Sequence, residues 1–226
     1  MVLAATLIGD AKKHIRRSGA KPGDRIYVTG NLGDSACGLE ILKRLTPKSI
    51  QTVKSEKLKV KNETIKNIFL TLNSQLLTLN WSMAKPLLRR HLMPEARNPK
   101  NFTRYATAMI DLSDGLFIDL SRLCDESKTG AKIYMERIPV SGKMRTASSL
   151  LGLDAMKLAC SVGEDYELLF TTSPTSPIPS LLRRGLGEVK ITYIGDIVKS
   201  GRKIIDTNGR EKKFSPSGYR HFEIQR

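Results

Sequence analysis

The chain has 226 residues, 40% of them hydrophobic and 27% charged, enough to bury a real core as one large domain or two small ones. No apolar run approaches the roughly 18 residues of a spanning helix. Cys37, Cys124 and Cys160 are odd in number and far apart, which argues against a disulfide framework or a zinc site and for free thiols in a reducing cytoplasm. The formal charge of +16 collects in residues 12–25, 43–66 and 199–226, yet no finger, RNP aromatics or dense basic helix accompanies it, and aromatic content is 6%. Nucleic acid is therefore not supported as the main partner.

The start, MVLAATLIG, has no basic segment ahead of its apolar run, so it reads as a strand over residues 1–9 and not as a signal peptide. After a short basic stretch, Pro22, Gly23 and Asp24 supply turn chemistry and Ile26 to Val28 a short strand ending at Gly30. Gly33, Asp34 and Ser35 open a helix whose apolar residues recur as Ala36, Leu39, Leu42 and Leu45, a plausible buried stripe. Gly30, Gly33 and Gly38 fit neither dinucleotide nor Walker spacing, so close packing is their simpler explanation. Residues 46–67 are Lys-rich and polar, as in a solvated linker or insertion, and 68–79 favour helix. Residues 81–92 predict a helix interrupted by Pro86 and stopped at Met93 and Pro94. His91 then falls at a helix C-terminus, where surface or capping duty is the ordinary role, and Arg97 is a candidate phosphate contact or a plain surface arginine.

The stretch 106–124, ATAMIDLSDGLFIDLSRLC, carries the most chemistry. A short apolar strand leads into Asp111, Ser113, Asp114 and Gly115, and Leu116, Leu120, Leu123 and Cys124 then follow at helical spacing. Polar groups at a strand end and helix start lie where α/β folds place ligands. Two acids three apart on a turn with exposed backbone N–H groups suit magnesium and the phosphates it carries. Equally, Ser113 or Asp114 could be the helix N-cap, and both readings can hold together. Residues 131–138 predict a strand, 147–161 a helix broken at 151–154, and 166–172 a strand after the acidic cluster Glu164, Asp165 and Glu167. A short helix over 180–185, a strand over 189–198 and a hairpin around Asn208 and Gly209 close the chain. Strands alternating with helices make the class α/β or α+β, a mixed sheet packed with helices.

Five motifs in order, GDRIYVTGNLGDSACGL (23–39), HLMPEAR (91–97), AMIDLSDGLFIDL (108–120), GEDYELLF (163–170) and GYRHF (218–222), resemble thiamine-monophosphate kinase, a family of the aminoimidazole ribonucleotide synthetase-like superfamily, from about residue 6 to the end. The resemblance implies ATP-dependent, magnesium-assisted phosphorylation of thiamine monophosphate to the diphosphate, by a cytoplasmic homodimer with no membrane association. It assigns Asp111 and Asp114 to magnesium, Arg17 and Ser113 to ATP, and Glu164 and Tyr219 to the thiamine substrate. No covalent nucleophile is needed, since phosphoryl transfer rests on charge and alignment. Three departures stand out: Val162 replaces a glycine before GEDYEL, where it could reshape the turn presenting Glu164; Ala96 replaces a proline; and the Lys-rich segment is long. The resemblance further implies that the family's N-terminal domain, with most of its metal-binding aspartates, is not represented in this sequence. The resemblance thus implies a residual strand and connector over 1–20 and the C-terminal domain over 21–226, with little or no activity alone. The alternatives are an enzyme of the same superfamily acting on another phosphorylated substrate and a non-catalytic basic binding module.

Overall fold

The computed structural model describes residue 6 and residues 14–44, 79–99, 103–176 and 190–214. The strand expected over 1–9, the Lys-rich segment with the helix after it, the helix over 180–185 and Tyr219 lie outside these residues. In chain order the described elements are β1 (Arg25–Thr29), α1 (Asp34–Arg44), α2 (Trp81–Leu92), β2 (Ala106–Leu112), α3 (Leu116–Ser127), β3 (Gly130–Tyr134), α4 (Gly142–Leu150), α5 (Ala155–Ser161), β4 (Glu167–Thr172), β5 (Ile191–Val198), β6 (Arg202–Ile205) and β7 (Glu211–Lys213). The seven strands form one sheet in the order β2-β4-β1-β5-β3-β6-β7. Every pairing is antiparallel except β3 with β6, so the expected mixed sheet is present.

Strand alternation sorts the two faces. Ile26 and Val28 of β1, Ile110 and Leu112 of β2, and Leu169 of β4 join the helices in the main core, whereas Tyr27 and Phe170 stack on the opposite face with centroids 5.6 Å apart. On α3, Leu116, Leu120, Leu123 and Cys124 are at most 1% exposed, as their spacing predicts. Burying each leucine is worth about 2 kcal/mol. The α1 stripe is different. The helix buries Ala36, Cys37, Ile41 and Leu42 and leaves Leu39 half-buried. A step of three residues lags a full turn by about 60°, so a strict i+3 series walks off the buried face. Against this face, Gly38 meets α2 where no side chain fits: a Cβ there would lie 2.2 Å from the Leu87 carbonyl oxygen.

The bounds of α2 match the sequence reading. Asn80 caps it by accepting the Met83 N–H at 3.0 Å, but the expected interruption does not occur: the helix runs on through Pro86. Two expected elements shift. Strand β3 ends four residues early in a 3-10 turn, Met135–Arg137, because Arg137 folds back over the rings of Tyr134 and Tyr193 at 4.6 and 4.8 Å. The helix expected to start at residue 147 starts at Gly142, because Ser141 caps it through Met144 N–H. The break at residues 151–154 occurs, and Asp154 caps α5. The β6–β7 hairpin turns at Gly209 (φ +75°), with Asp206 accepting the N–H groups of Asn208 and Arg210.

Candidate active-site cleft

Strand β2 delivers Asp111 and the turn 113–115 to the start of α3, as expected. The turn is not organised by Ser113 or Asp114. Gly115 occupies the cap position with φ +121° and no side-chain cap. Asp119, 1% exposed, folds back from the first turn of α3 and accepts the backbone N–H groups of Ser113, Asp114 and Gly115 at 3.1, 3.0 and 3.1 Å. This corrects both parts of the earlier reading. The helix has no side-chain N-cap; Asp119 holds the turn before it, and the turn N–H groups expected to face a phosphate are already satisfied within the chain. The Asp114 carboxylate takes no part in this cap; Arg122 Nη1 bridges it to Asp119.

The acidic motif is stitched onto this turn. Glu164 N–H donates to the Ser113 carbonyl at 2.8 Å and Tyr166 N–H to the Leu112 carbonyl at 3.0 Å. Gly163 permits the approach, since a Cβ there would lie 2.0 Å from Ser113 O. Glu164 (φ +65°) and Tyr166 (φ +51°) occupy the left-handed region, a local strain of the kind that collects at binding sites. Val162 is extended at φ −117°, so the missing glycine costs the turn nothing. The Glu164 carboxylate is exposed and lies 3.3 Å from His91 Nδ1, which is also 3.1 Å from Ser35 Oγ. His91, expected to be a surface or capping residue, is instead inward-facing and ties α1, α2 and the 163–166 loop together.

Residues 14–20 run beside β2, where Met109 N–H donates to Arg16 O at 2.9 Å. This places Arg17 Nη2 3.9 Å from Asp111 Oδ1, with both side chains about half exposed. A cleft of about 610 Å³ opens between these elements, lined by Arg17, Ser113, Asp114, Arg122, Glu164, His91, Tyr166 and neighbours. Of the predicted site residues, Arg17, Ser113, Asp114 and Glu164 line one cleft, and Asp111 adjoins it through Arg17. Among the described residues no group of three His, Cys, Asp or Glu gathers to hold a metal unaided. The chemistry of the donors, Asp111 near the end of β2 and Asp114 on the turn, still suits magnesium, which keeps waters and shares its shell with substrate phosphates.

Behind the cleft, Glu167, 1% exposed, receives Arg97 in a two-pronged contact (2.7 and 2.8 Å), Thr29 Oγ1 at 2.6 Å and a close contact from Arg90. Arg97 is therefore committed to a buried carboxylate, not free for phosphate, and Glu167 is a structural anchor that the sequence reading left in an undivided acidic cluster. Beside it, Asp165 accepts the Gly33 N–H at 2.8 Å, and burial pushes its carboxyl up to about 8. At the far end of the sheet a second depression, of about 520 Å³, is lined by Lys128, Lys199, Arg202, Lys203 and Lys213 together with Asp125, which pairs with Arg202. Part of the net positive charge collects there.

No protein-family model matches the chain. It is 32% identical to the thiamine-monophosphate kinase of Buchnera aphidicola subsp. Acyrthosiphon pisum over 98% of this chain and 60% of that enzyme. It is 36% identical to the Salmonella typhimurium enzyme over 82% of this chain and 46% of that one. Among solved structures, one described as AaThiL complexed with AMPPCP and TMP has TM-score 0.64 and 29% identity over 92% of this chain and 54% of its own. The Stenotrophomonas maltophilia thiamine-monophosphate kinase gives 0.62 at 28%, over 84% and 52%. Escherichia coli HypE, a hydrogenase maturation protein, gives 0.52 at 17% over 92% and 54%, a likeness of fold alone. The chain thus has the aminoimidazole ribonucleotide synthetase-like fold and spans about half to three-fifths of the proteins it matches. Over nearly all of its own length it is a homologue of the thiamine-monophosphate kinases.

Proposed function

We propose that this chain forms part of an enzyme that transfers the terminal phosphoryl group of ATP to thiamine monophosphate, and that it corresponds to the C-terminal portion of that enzyme. The observation that carries the reading is the convergence of Arg17, Ser113, Asp114 and Glu164 on one cleft from separate motifs. Asp111 and Asp114 would hold magnesium, which supplies charge neutralisation and alignment for two anionic phosphates when bound. Arg17 offers a cation to the nucleotide, and Ser113 offers a hydroxyl. Glu164, exposed at the cleft wall, suits a hydrogen bond to an aminopyrimidine N–H and the field of a cationic thiazolium. Tyr219, outside the described residues, is proposed to pack against a substrate ring. With two carboxylates and no third metal-ligand partner among the described residues, the chain alone is expected to bind but to turn over little.

Isothermal titration with thiamine monophosphate, and with AMPPCP plus magnesium, tests this reading. Glu164→Gln should weaken only the thiamine ligand, and Asp114→Asn only the magnesium-dependent nucleotide. Equal loss of both ligands in both variants, or binding of neither ligand by the unmodified chain, would refute the assignment. The basic depression at the β6–β7 edge favours a second reading, a module for a polyanionic partner. Steeply salt-dependent binding to duplex RNA, without binding of thiamine monophosphate, would support it.

A further inference from the structure

We propose that Arg122 is an exchangeable counter-charge: it holds Asp114 while the metal is absent and passes to an anionic phosphate oxygen of the bound nucleotide when a divalent cation takes Asp114. This rests on the reading of Asp114 as a metal ligand given above. Four features carry it. The backbone N–H groups of Ser113, Asp114 and Gly115, in the turn before α3, are consumed by Asp119, so the turn has none of these donors left for a phosphate. Full positive charge at this corner comes from side chains, and the arginines lining the cleft are Arg17 and Arg122. Arg122 also donates to Asp119 Oδ1 at 2.9 Å, but Asp119 keeps three N–H groups on Oδ2 when that contact is released, whereas Arg122 is the one side-chain partner of Asp114 among the described residues. Finally, the Asp114 side chain is 15% exposed and that of Arg122 44%. The carboxylate is the sheltered member of the pair and the guanidinium the one with room to move.

A divalent cation and a guanidinium compete for the same carboxylate oxygens, because bringing +2 beside +1 at contact distance is unfavourable even in a well-screened site. Metal entry therefore expels the guanidinium. A displaced Arg122 remains on the first turns of α3 at the cleft wall, where its planar fork suits a phosphate. Metal and nucleotide are then coupled through one side chain, and the coupling is reciprocal: each tightens the other. Arg17, 3.9 Å from Asp111 Oδ1, repeats the arrangement more loosely on the neighbouring acid.

The test uses the full chain and Mn²⁺ as the probe, with binding read by electron paramagnetic resonance in the absence of nucleotide and AMPPCP binding then read by titration at saturating Mn²⁺. Arg122→Gln should bind Mn²⁺ about threefold to tenfold more tightly, because a competing charge is gone, and should bind AMPPCP several-fold more weakly. Arg122→Lys keeps the charge and should keep Mn²⁺ affinity near that of the unmodified chain while losing part of the AMPPCP affinity. Unchanged or weaker Mn²⁺ binding in Arg122→Gln overturns the proposal, as does equal tightening in both variants, which would mark a packing effect. Tighter Mn²⁺ with unchanged AMPPCP refutes the handover to phosphate. Asp114→Asn separates the two levels: if it retains full Mn²⁺ affinity, the metal assignment itself fails; if it loses Mn²⁺ while Arg122→Gln changes nothing, only the role of Arg122 fails.

Discussion

Asp165 should make the fold less stable as pH rises, and Asp165→Asn should remove that dependence. The side chain is 3% exposed; one oxygen accepts the Gly33 N–H, and the other has no partner among the described residues. Burial above all, with the Asp34 charge adding to it, pushes the carboxyl from its ordinary value of 3.8 to about 8, against the backbone N–H of Gly33 and the field of Arg90. A carboxyl raised in the folded state binds its proton more tightly there than in the unfolded chain. Its contribution is therefore complete below about pH 4 and is lost as pH climbs through about 8. Each unit of that span costs at most about 1.4 kcal/mol, so the ceiling over some four units is about 5–6 kcal/mol. Local relaxation and water entry would reduce it to about 1–4 kcal/mol. Asparagine keeps an oxygen for Gly33 N–H and carries no charge. Urea unfolding at intervals from pH 5 to pH 9 should show the unmodified chain losing stability relative to Asp165→Asn up to about pH 8 and running parallel above it. Parallel profiles throughout, or an unmodified chain that gains stability relative to Asp165→Asn as pH rises, would show that Asp165 is ionised in the fold and the reasoning is wrong.

Two further perturbations probe the scaffold of the cleft. Asp119→Ala strips the acceptor from three N–H groups at a buried turn and should cost about 2–4 kcal/mol in urea unfolding, with Asp119→Asn costing less because one oxygen remains. Faster amide exchange at Ser113, Asp114 and Gly115 should accompany the alanine change. Glu167→Gln leaves Arg90 and Arg97 without their shared carboxylate and should cost about 3–5 kcal/mol in the same assay; a loss below about 1 kcal/mol would mean that the two arginines find solvent or other partners.

Much of the frame was legible because it is written in local periodicity. Strand, glycine and helical stripe over 106–124 mark a strand–turn–helix on spacing alone, and the end of α2 at Met93 and Pro94 is local chemistry. The misreadings share one physical source: the partner of each group lies on another element or folds back from beyond the cap. Asp119 reads as one polar residue in an amphipathic helix, because its acceptors' partners sit four to six residues behind it in a turn whose shape the linear pattern does not disclose. Glu167 was accessible in principle. Strand alternation puts it on the same face as Leu169, the core face, and an inward carboxylate requires cations. What the alternation could not supply was which cations, since Arg90 and Arg97 arrive from α2 and the loop after it.

The same reasoning bears on the net charge of +16. Counted along the chain it suggests anionic partners in general. In the fold, Arg90 and Arg97 are drawn to Glu167, Arg122 to Asp114 and Asp119, and Arg202 to Asp125. Lysines gather beside β6 and β7, where Lys203 pairs with Glu211, and Arg17 and Arg122 line the cleft. Pairing is a three-dimensional property, so a total cannot say which cations are available to a ligand. The cleft arginines are the informative ones because each leans on a carboxylate, Asp111 or Asp114, proposed above as a metal ligand. Charge committed to the scaffold and charge on loan to the site are separated by burial: Glu167 holds its arginines from the interior, whereas Arg17 and Arg122 hold theirs from the surface.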